Sequence, residues 1–262
     1  MSISKTAGTF RSTIDESQRL GALEQVCISA LDVQNHSLAE EALAQIKHSV
    51  GKESVRYRRL LGLCLESSND IDGAVAVYNF LLRENPSNVY ALKRKYCILK
   101  SQIGKEEETR EALNNYLEKN GSDVSAWAEM SKFCAENGDY AGAAYCYEEV
   151  VLANPLDAEA HCTLGEWYAT TGGRENLKLA RKHMAQSLEL DPKNLRAMYG
   201  LVSVSETYLE IVGRKKNNES DDLEVAKELV KYGVKNLSKS YEGSFMKSLV
   251  ETATKPQTSE QS

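Results

Sequence analysis

The chain has 262 residues, of which 42% are hydrophobic and four are prolines, and its formal net charge is −6. That length can bury a core of real size in one large domain or two small ones, and so little proline favours long helices. The mild negative charge speaks against a general nucleic-acid binder, which needs a basic face to displace counterions from phosphates.

The opening residues, MSISKTAGTFRSTIDESQ, are rich in Ser and Thr and hold no continuous apolar stretch, so they do not read as a secretory signal. Residues 1–19 read instead as a disordered tail. No run anywhere approaches the ~20 apolar residues that cross a bilayer; LLGLCL at 60–65 is typical of the longest. Six cysteines without close pairs suit a reducing compartment.

An all-α solenoid of stacked helical hairpins is expected over residues 20–211, because the sequence repeats itself. From Trp127, the residues Met130, Ala143, Tyr147 and Pro155 follow at +3, +16, +20 and +28. Two periods earlier, Arg58, Leu61, Gly62, Leu65, Ala74, Tyr78 and Pro86 hold the matching places. One period later come His161, Leu164, Gly165 and Tyr168, then Ala180, Met184 and Pro192 displaced by three. In chain order, 20–54 is a weak unit in which Ala39, Leu43 and Ile46 keep the spacing and Gly51 takes the proline slot. The unit at 55–88 is clear. The one at 89–123 begins well with Leu92, Tyr96 and Leu99 but shows no Ala or Pro in its second half. Units at 124–157 and 158–194 are clear again, and a sixth first helix follows at 195–209.

The pattern resembles the tetratricopeptide repeat, a helix–turn–helix of ~34 residues. In each second helix the small and large residues stand four apart and share a face, and Pro just past the helix stops it. Gly62, Ala74, Tyr78, Pro86, Trp127, Ala143, Tyr147, Pro155, Gly165, Tyr168, Ala180 and Pro192 are therefore the expected packing residues. One hairpin cannot bury its apolar face alone, so stacked neighbours must. Residues 212–222 read as a polar linker, 223–250 as C-terminal capping helices and 251–262 as a disordered tail.

Sites for chemistry are scarce. The first four cysteines, 27, 64, 97 and 134, recur near the repeat period, which marks them as small fillers on first helices. No Cys-x-x-Cys offers zinc its converging ligands. The four histidines have no partner at helical spacing. Asp70, Asp72 and Gly73 faintly suggest a calcium loop, but Ser68 and Asn79 replace its first and last carboxylates. No phosphate-binding loop or catalytic triad is legible. The expectation is no enzyme, no cofactor, no metal and no small-molecule substrate.

The first helices of such a stack line an inner face. Arg56, Arg59, Glu66, Tyr90, Lys93 and Lys100 would face outward early in the chain, and Lys132, Glu136, Glu159, Glu166, Arg196, Tyr199 and Glu206 later. An early basic and a later acidic groove would orient a partner, since charge complementarity sets register and on-rate. A chaperone-tail clamp needs Lys followed four residues on by Asn; Lys93 is followed by Cys97 and Arg59 by Leu63, so that class is disfavoured.

Several stretches carry a closer resemblance: LEQVCISALDVQNHSLAEEAL at 23–43, YALKRKYCILKSQIGK at 90–105, DYAGAAYCYEEVVLANP at 139–155 and TGGRENLKLARKHMAQSLELDPKNLRAMYGL at 171–201. Together they resemble the subunit 2 family of the endoplasmic reticulum (ER) membrane protein complex. Gly172 to Leu177 is the most specific part, because it is the insertion that displaces Ala180. The resemblance implies a non-catalytic scaffold on the cytoplasmic face of the ER membrane. It implies as partners the subunit 8/9 type and the cytosolic parts of membrane subunits 1, 3 and 5, with membrane association only through them. The complex itself inserts tail-anchored and multipass proteins without nucleotide hydrolysis. Beside it, the basic patch Lys93, Arg94 and Lys95 is expected nearest the membrane or a polar substrate passage, a basic residue gaining about 1 kcal/mol from anionic lipid. The alternative is a generic tetratricopeptide-repeat adaptor or co-chaperone that binds peptide segments.

Overall fold

The computed structural model describes residues 15–213 and 220–253, which form thirteen helices and no strand. The chain divides into two compact units, residues 1–120 and 121–262. The first unit stacks three hairpins: α1 (Glu16–Asp32) with α2 (His36–Val50), α3 (Val55–Ser67) with α4 (Ile71–Glu84), and α5 (Val89–Lys100) with α6 (Glu106–Lys119). The second stacks three more: α7 (Val124–Glu136) with α8 (Tyr140–Ala153), α9 (Ala158–Thr171) with α10 (Arg174–Leu190), and α11 (Leu195–Gly213) with α12 (Ser220–Ser240). A short α13 (Lys247–Ala253) follows.

Three of the hairpin tips are built from a two-residue device. Gln34, Asn69 and Gly138 take left-handed backbone angles, with φ of 58°, 62° and 77°. The next amide in each case reaches five residues back, Asn35 to the Ala30 carbonyl at 2.7 Å, Asp70 to Leu65 at 2.8 Å and Asp139 to Cys134 at 2.9 Å. That bond satisfies carbonyls the first helix leaves open. The same Asn35, Asp70 and Asp139 then cap the second helix, their carboxamide or carboxylate oxygens accepting from the amides of Leu38, Gly73 and Gly142. Asp70 is thus a helix cap, and the faint calcium loop is a turn.

In each unit, packing runs through a column of small residues. Ala39, Ala74, Thr109, Ala143 and Ala180 on the second helices are all buried. Facing Ala39, Ala143 and Ala180 from the first helices are Cys27, Ser131 and Gly165. The Cys27 thiol donates to the Ala39 carbonyl at 3.6 Å, and the Ser131 hydroxyl to the Ala143 carbonyl at 2.8 Å. A β-carbon on Gly62 would lie 2.6 Å from the Tyr78 ring, so only glycine admits that ring. The hairpin at 89–123 is not a degraded unit: Thr109 fills the alanine slot and Leu113 the tyrosine slot, both buried. Cys27 and Cys64 do not share one slot, as their spacing suggested; their sulfurs meet across neighbouring hairpins at 3.9 Å.

Gly172 and Gly173, with φ of 72° and 83°, turn the chain between α9 and α10. Ala143 is the fourth residue of its helix and Ala180 the seventh of its own. The insertion therefore adds about one turn to the start of α10 and leaves the distance from Ala to Pro unchanged. Pro86, Pro155 and Pro192 lie exposed in the turns two residues past their helices.

Three boundaries differ from the sequence reading. Residues 16–19 belong to α1 as an exposed polar first turn, closed by the Arg19 amide on the Asp15 carbonyl at 2.9 Å, and only residues 1–14 of the expected tail lie outside the described residues. The expected linker is entered from both ends, by α11 as far as Gly213 and by α12 from Ser220; residues 214–219 lie outside the described residues, as do 254–262. Finally, the expected capping helix begins earlier than residue 223: as α12 it pairs with α11 in a sixth hairpin, and Ala226 and Leu237 bury themselves in the two cores that α11 helps to form.

Trp127 is half-buried, not a full plug: its ring edges the cluster of Ala144, Val150, Val151, Ala160 and Leu164, and its indole N–H donates to the Gly121 carbonyl at 2.8 Å. Trp127→Ala should accordingly cost about 2 kcal/mol in chemical denaturation, below the ~3–5 kcal/mol of a fully buried aromatic.

Candidate partner-binding site

In the first unit the outward residues of the first helices engage one another. Arg56 of α3 pairs with Glu24 of α1 at 2.5 Å. The Arg59 guanidinium lies 4.3 Å from the centre of the Tyr90 ring on α5, and the Tyr90 hydroxyl donates to the Arg59 carbonyl at 3.4 Å. Arg94 grips both oxygens of Glu66, with its Nε at 3.0 Å from Oε1. The Tyr78 hydroxyl donates to the same Oε1 at 2.5 Å. A charge-assisted fork of this kind fixes angle as well as distance. Hydrogen bonding to Glu66 holds the Arg94 pKa above its usual value, and burial, then Glu66, raises the Tyr78 phenol.

The early face is therefore less basic than the sequence suggested, because Glu24 and Glu66 neutralise Arg56 and Arg94. Glu24 is a residue that reading missed; it becomes visible only once α1 is set beside α3. The run Lys93, Arg94 and Lys95 is not a patch either. Successive helical residues point about 100° apart, so Lys93 sits over the Tyr116 ring at 5.7 Å, Arg94 turns to Glu66, and Lys95 enters a cleft beside α6. Lys100 is exposed at the end of α5.

The second unit repeats the arrangement. Arg196 of α11 bridges two carboxylates of α9, reaching Glu159 at 3.1 Å and Glu166 at 2.6 Å. Asn194 adds a bond to Glu159 at 3.0 Å. Lys132 and Glu136 form a solvent-exposed pair at 3.7 Å along α7. Tyr199 is partly exposed, its phenol pushed up to about 12 by burial and by the Tyr241 hydroxyl. Burial, with Glu210 nearby, raises the Glu206 carboxyl.

Two histidines that seemed unpartnered meet in this unit. His161 and His183 place their Nδ1 atoms 3.0 Å apart, and His161 Nε2 lies 3.1 Å from the Pro155 carbonyl. The carbonyl can only accept, so neutral His161 donates from Nε2 and its Nδ1 accepts from His183. Tyr168 stacks on His183 with 5.8 Å between ring centres, and its hydroxyl donates to Glu148. Burial first, then the second imidazole, lowers the His183 pKa below 6.5. A histidine with a depressed folded pKa contributes stability that is present above the unfolded value and is lost as pH falls through the folded one. Melting temperature should therefore drop on acidification from about pH 6.5 downward, and His183→Gln should flatten that drop.

Among the described residues no three His, Cys, Asp or Glu side chains converge to hold a metal ion, and no helix is long and apolar enough to cross a membrane.

Comparison with known proteins agrees with that architecture. The EMC2 TPR-like repeat domain model matches residues 48–173. ER membrane protein complex subunit 2-A of Xenopus laevis is 39% identical over 178 residues, covering 68% of this chain and 59% of the relative. ER membrane protein complex subunit 2 of Dictyostelium discoideum is 30% identical over 209 residues, covering 76% of this chain and 65% of the relative. The chain thus spans about three fifths of the length of these relatives. Among solved structures, YrrB, described as a TPR protein with an unusual peptide-binding site, aligns with a TM-score of 0.53 over 81% of this chain and 98% of its own at 18% identity, a likeness of fold alone.

Proposed function

We propose a scaffolding role from the premise that the chain belongs to the ER membrane protein complex subunit 2 family. In this reading the chain catalyses nothing, needs no cofactor and organises other subunits of the complex. Its partners are the cytosolic subunit 8/9 type and the cytosolic parts of membrane subunits 1, 3 and 5, so that it sits on the cytoplasmic face of the ER membrane and reaches the bilayer only through them. The complex then inserts tail-anchored and multipass proteins without nucleotide hydrolysis.

The observation that supports this best is the match of residues 48–173 to the family's own repeat domain. The structure adds a physical reason for rigidity. Ion pairs between successive first helices set the register of each stack, and a scaffold must hold its partners at fixed spacing. The residues proposed to meet partners are the outward ones of the first helices, Arg56, Arg59, Tyr90, Lys93, Lys100, Lys132, Glu159, Glu166, Arg196, Tyr199 and Glu206, several of them held in place by contacts inside their own units. Microsomes depleted of the chain should insert a tail-anchored test protein poorly and recover when it is restored. Undiminished insertion would contradict the role.

A further inference from the structure

The first unit holds a surface cleft of about 480 Å³ between α4, α5 and α6. Its floor is apolar, made by Leu82 of α4 and by Leu92 and Leu99 of α5. Lys95 stands on the α5 side, and Glu108 and Glu111 stand on α6. Leu92, Lys95 and Leu99 lie at i, i+3 and i+7, so they form one stripe along α5. That stripe differs from the one bearing Tyr90 and Arg94, which is spent on Arg59 and Glu66. The cleft is therefore separate from the first-helix face described above.

Two of its three charges, Lys95 and Glu111, are left over after local pairing. Lys105 takes Glu108 at 2.7 Å, and Arg110 takes Glu107. Among the described residues neither Lys95 nor Glu111 has an ion-pair partner. A half-buried lysine beside leucines gains from a carboxylate brought to it, and the α6 wall, with Glu111 unpaired, gains from a cation. A volume of this size takes a small group of side chains, and an open seam walled by two helices suits a third.

We propose that this cleft docks a short amphipathic helix of another protein chain, with one or two aliphatic side chains on the leucine floor, a Lys or Arg toward Glu111, and a carboxylate toward Lys95. The inference deepens the scaffold reading, on which it rests for the source of that helix, by giving the second-helix side of the first unit a binding site of its own.

Two fluorescein-labelled helical peptides of about 15 residues test it by anisotropy with the full chain. Both carry Leu at i and i+4; one has Lys along one flank and Glu along the other, and the second has Glu along both. The first should bind the chain, and the second should bind about fivefold more weakly, the upper end for one surface ion pair. Glu111→Lys, an exposed change that leaves the core intact, should weaken the first peptide and strengthen the second. Leu99→Asp should abolish binding of both. Absence of binding below about 100 μM, or equal affinity of the first peptide for the wild type and for Glu111→Lys, would overturn the proposal. Failure here while the chain still co-elutes with ER membrane proteins would sink the cleft alone; peptide binding by a chain that co-elutes with none of them would sink the scaffold reading alone.

Discussion

Tyr78→Ala is expected to destabilise the protein by about 3–5 kcal/mol, the range of a large aromatic removed from a packed core. The side chain is fully buried. Its ring covers Gly62, which has no β-carbon to hold it off, and meets Tyr90 edge to face at 6.2 Å between ring centres. Removing it empties the contact between α3 and α4 and takes a hydrogen bond from Glu66 at once. Tyr78→Phe isolates the hydroxyl and should cost about 1 kcal/mol. Urea denaturation of the pair separates the two contributions. A loss under about 1 kcal/mol for Tyr78→Ala, well short of the core range, would mean that the ring is not where the repeat pattern places it.

Glu66→Leu should cost about 2–3 kcal/mol. Taking one partner from a buried ion pair leaves the other charge without compensation, at about 3–5 kcal/mol when burial is complete. Arg94 keeps a third of its side chain exposed and can recover some water, which lowers the figure. The double change Glu66→Leu with Arg94→Met should regain much of the loss, because the pair's attraction and its desolvation nearly cancel. A double-mutant cycle reads the coupling directly. If the double variant were as unstable as the sum of the single ones, Glu66 and Arg94 would not be acting as a pair across α3 and α5.

These two residues also show what the sequence could and could not reveal. Tyr78 was legible because its role is periodic: a small residue at Ala74 and a large one four places on recur in later units, and periodicity survives without coordinates. Glu66 was legible only as an outward position. Its partners, Arg94 and Tyr78, stand 28 and 12 residues away on two other helices, and no spacing rule joins all three. His161 and His183 were missed for the same reason, being 22 residues apart on the two arms of one hairpin. Thr109 was missed because it substitutes for alanine by size rather than by letter, with its hydroxyl returned to the Lys105 carbonyl at 2.7 Å.

Charge was misread in a consistent direction. Counting Arg and Lys along first helices gave a basic early face, because each helix was read against solvent. In the folded unit those helices are read against each other, and Glu24 and Glu66 cancel the cations beside them. The Lys93, Arg94 and Lys95 run failed on helical geometry alone, since neighbours in sequence cannot share a helix face. Some of the charge counted for a polarised groove is therefore spent within each unit, and the proposed cleft adds an apolar floor of Leu82, Leu92 and Leu99.

The central claim is that this stack of hairpins serves as a scaffold among ER membrane proteins. An affinity-tagged chain, purified from microsomes dissolved in mild detergent and inventoried by mass spectrometry, tests it most directly. The account predicts co-elution with the other subunits of the ER membrane protein complex, in near-equal amounts. Recovery of the chain without detergent, alone or with chaperones in place of those subunits, would contradict it.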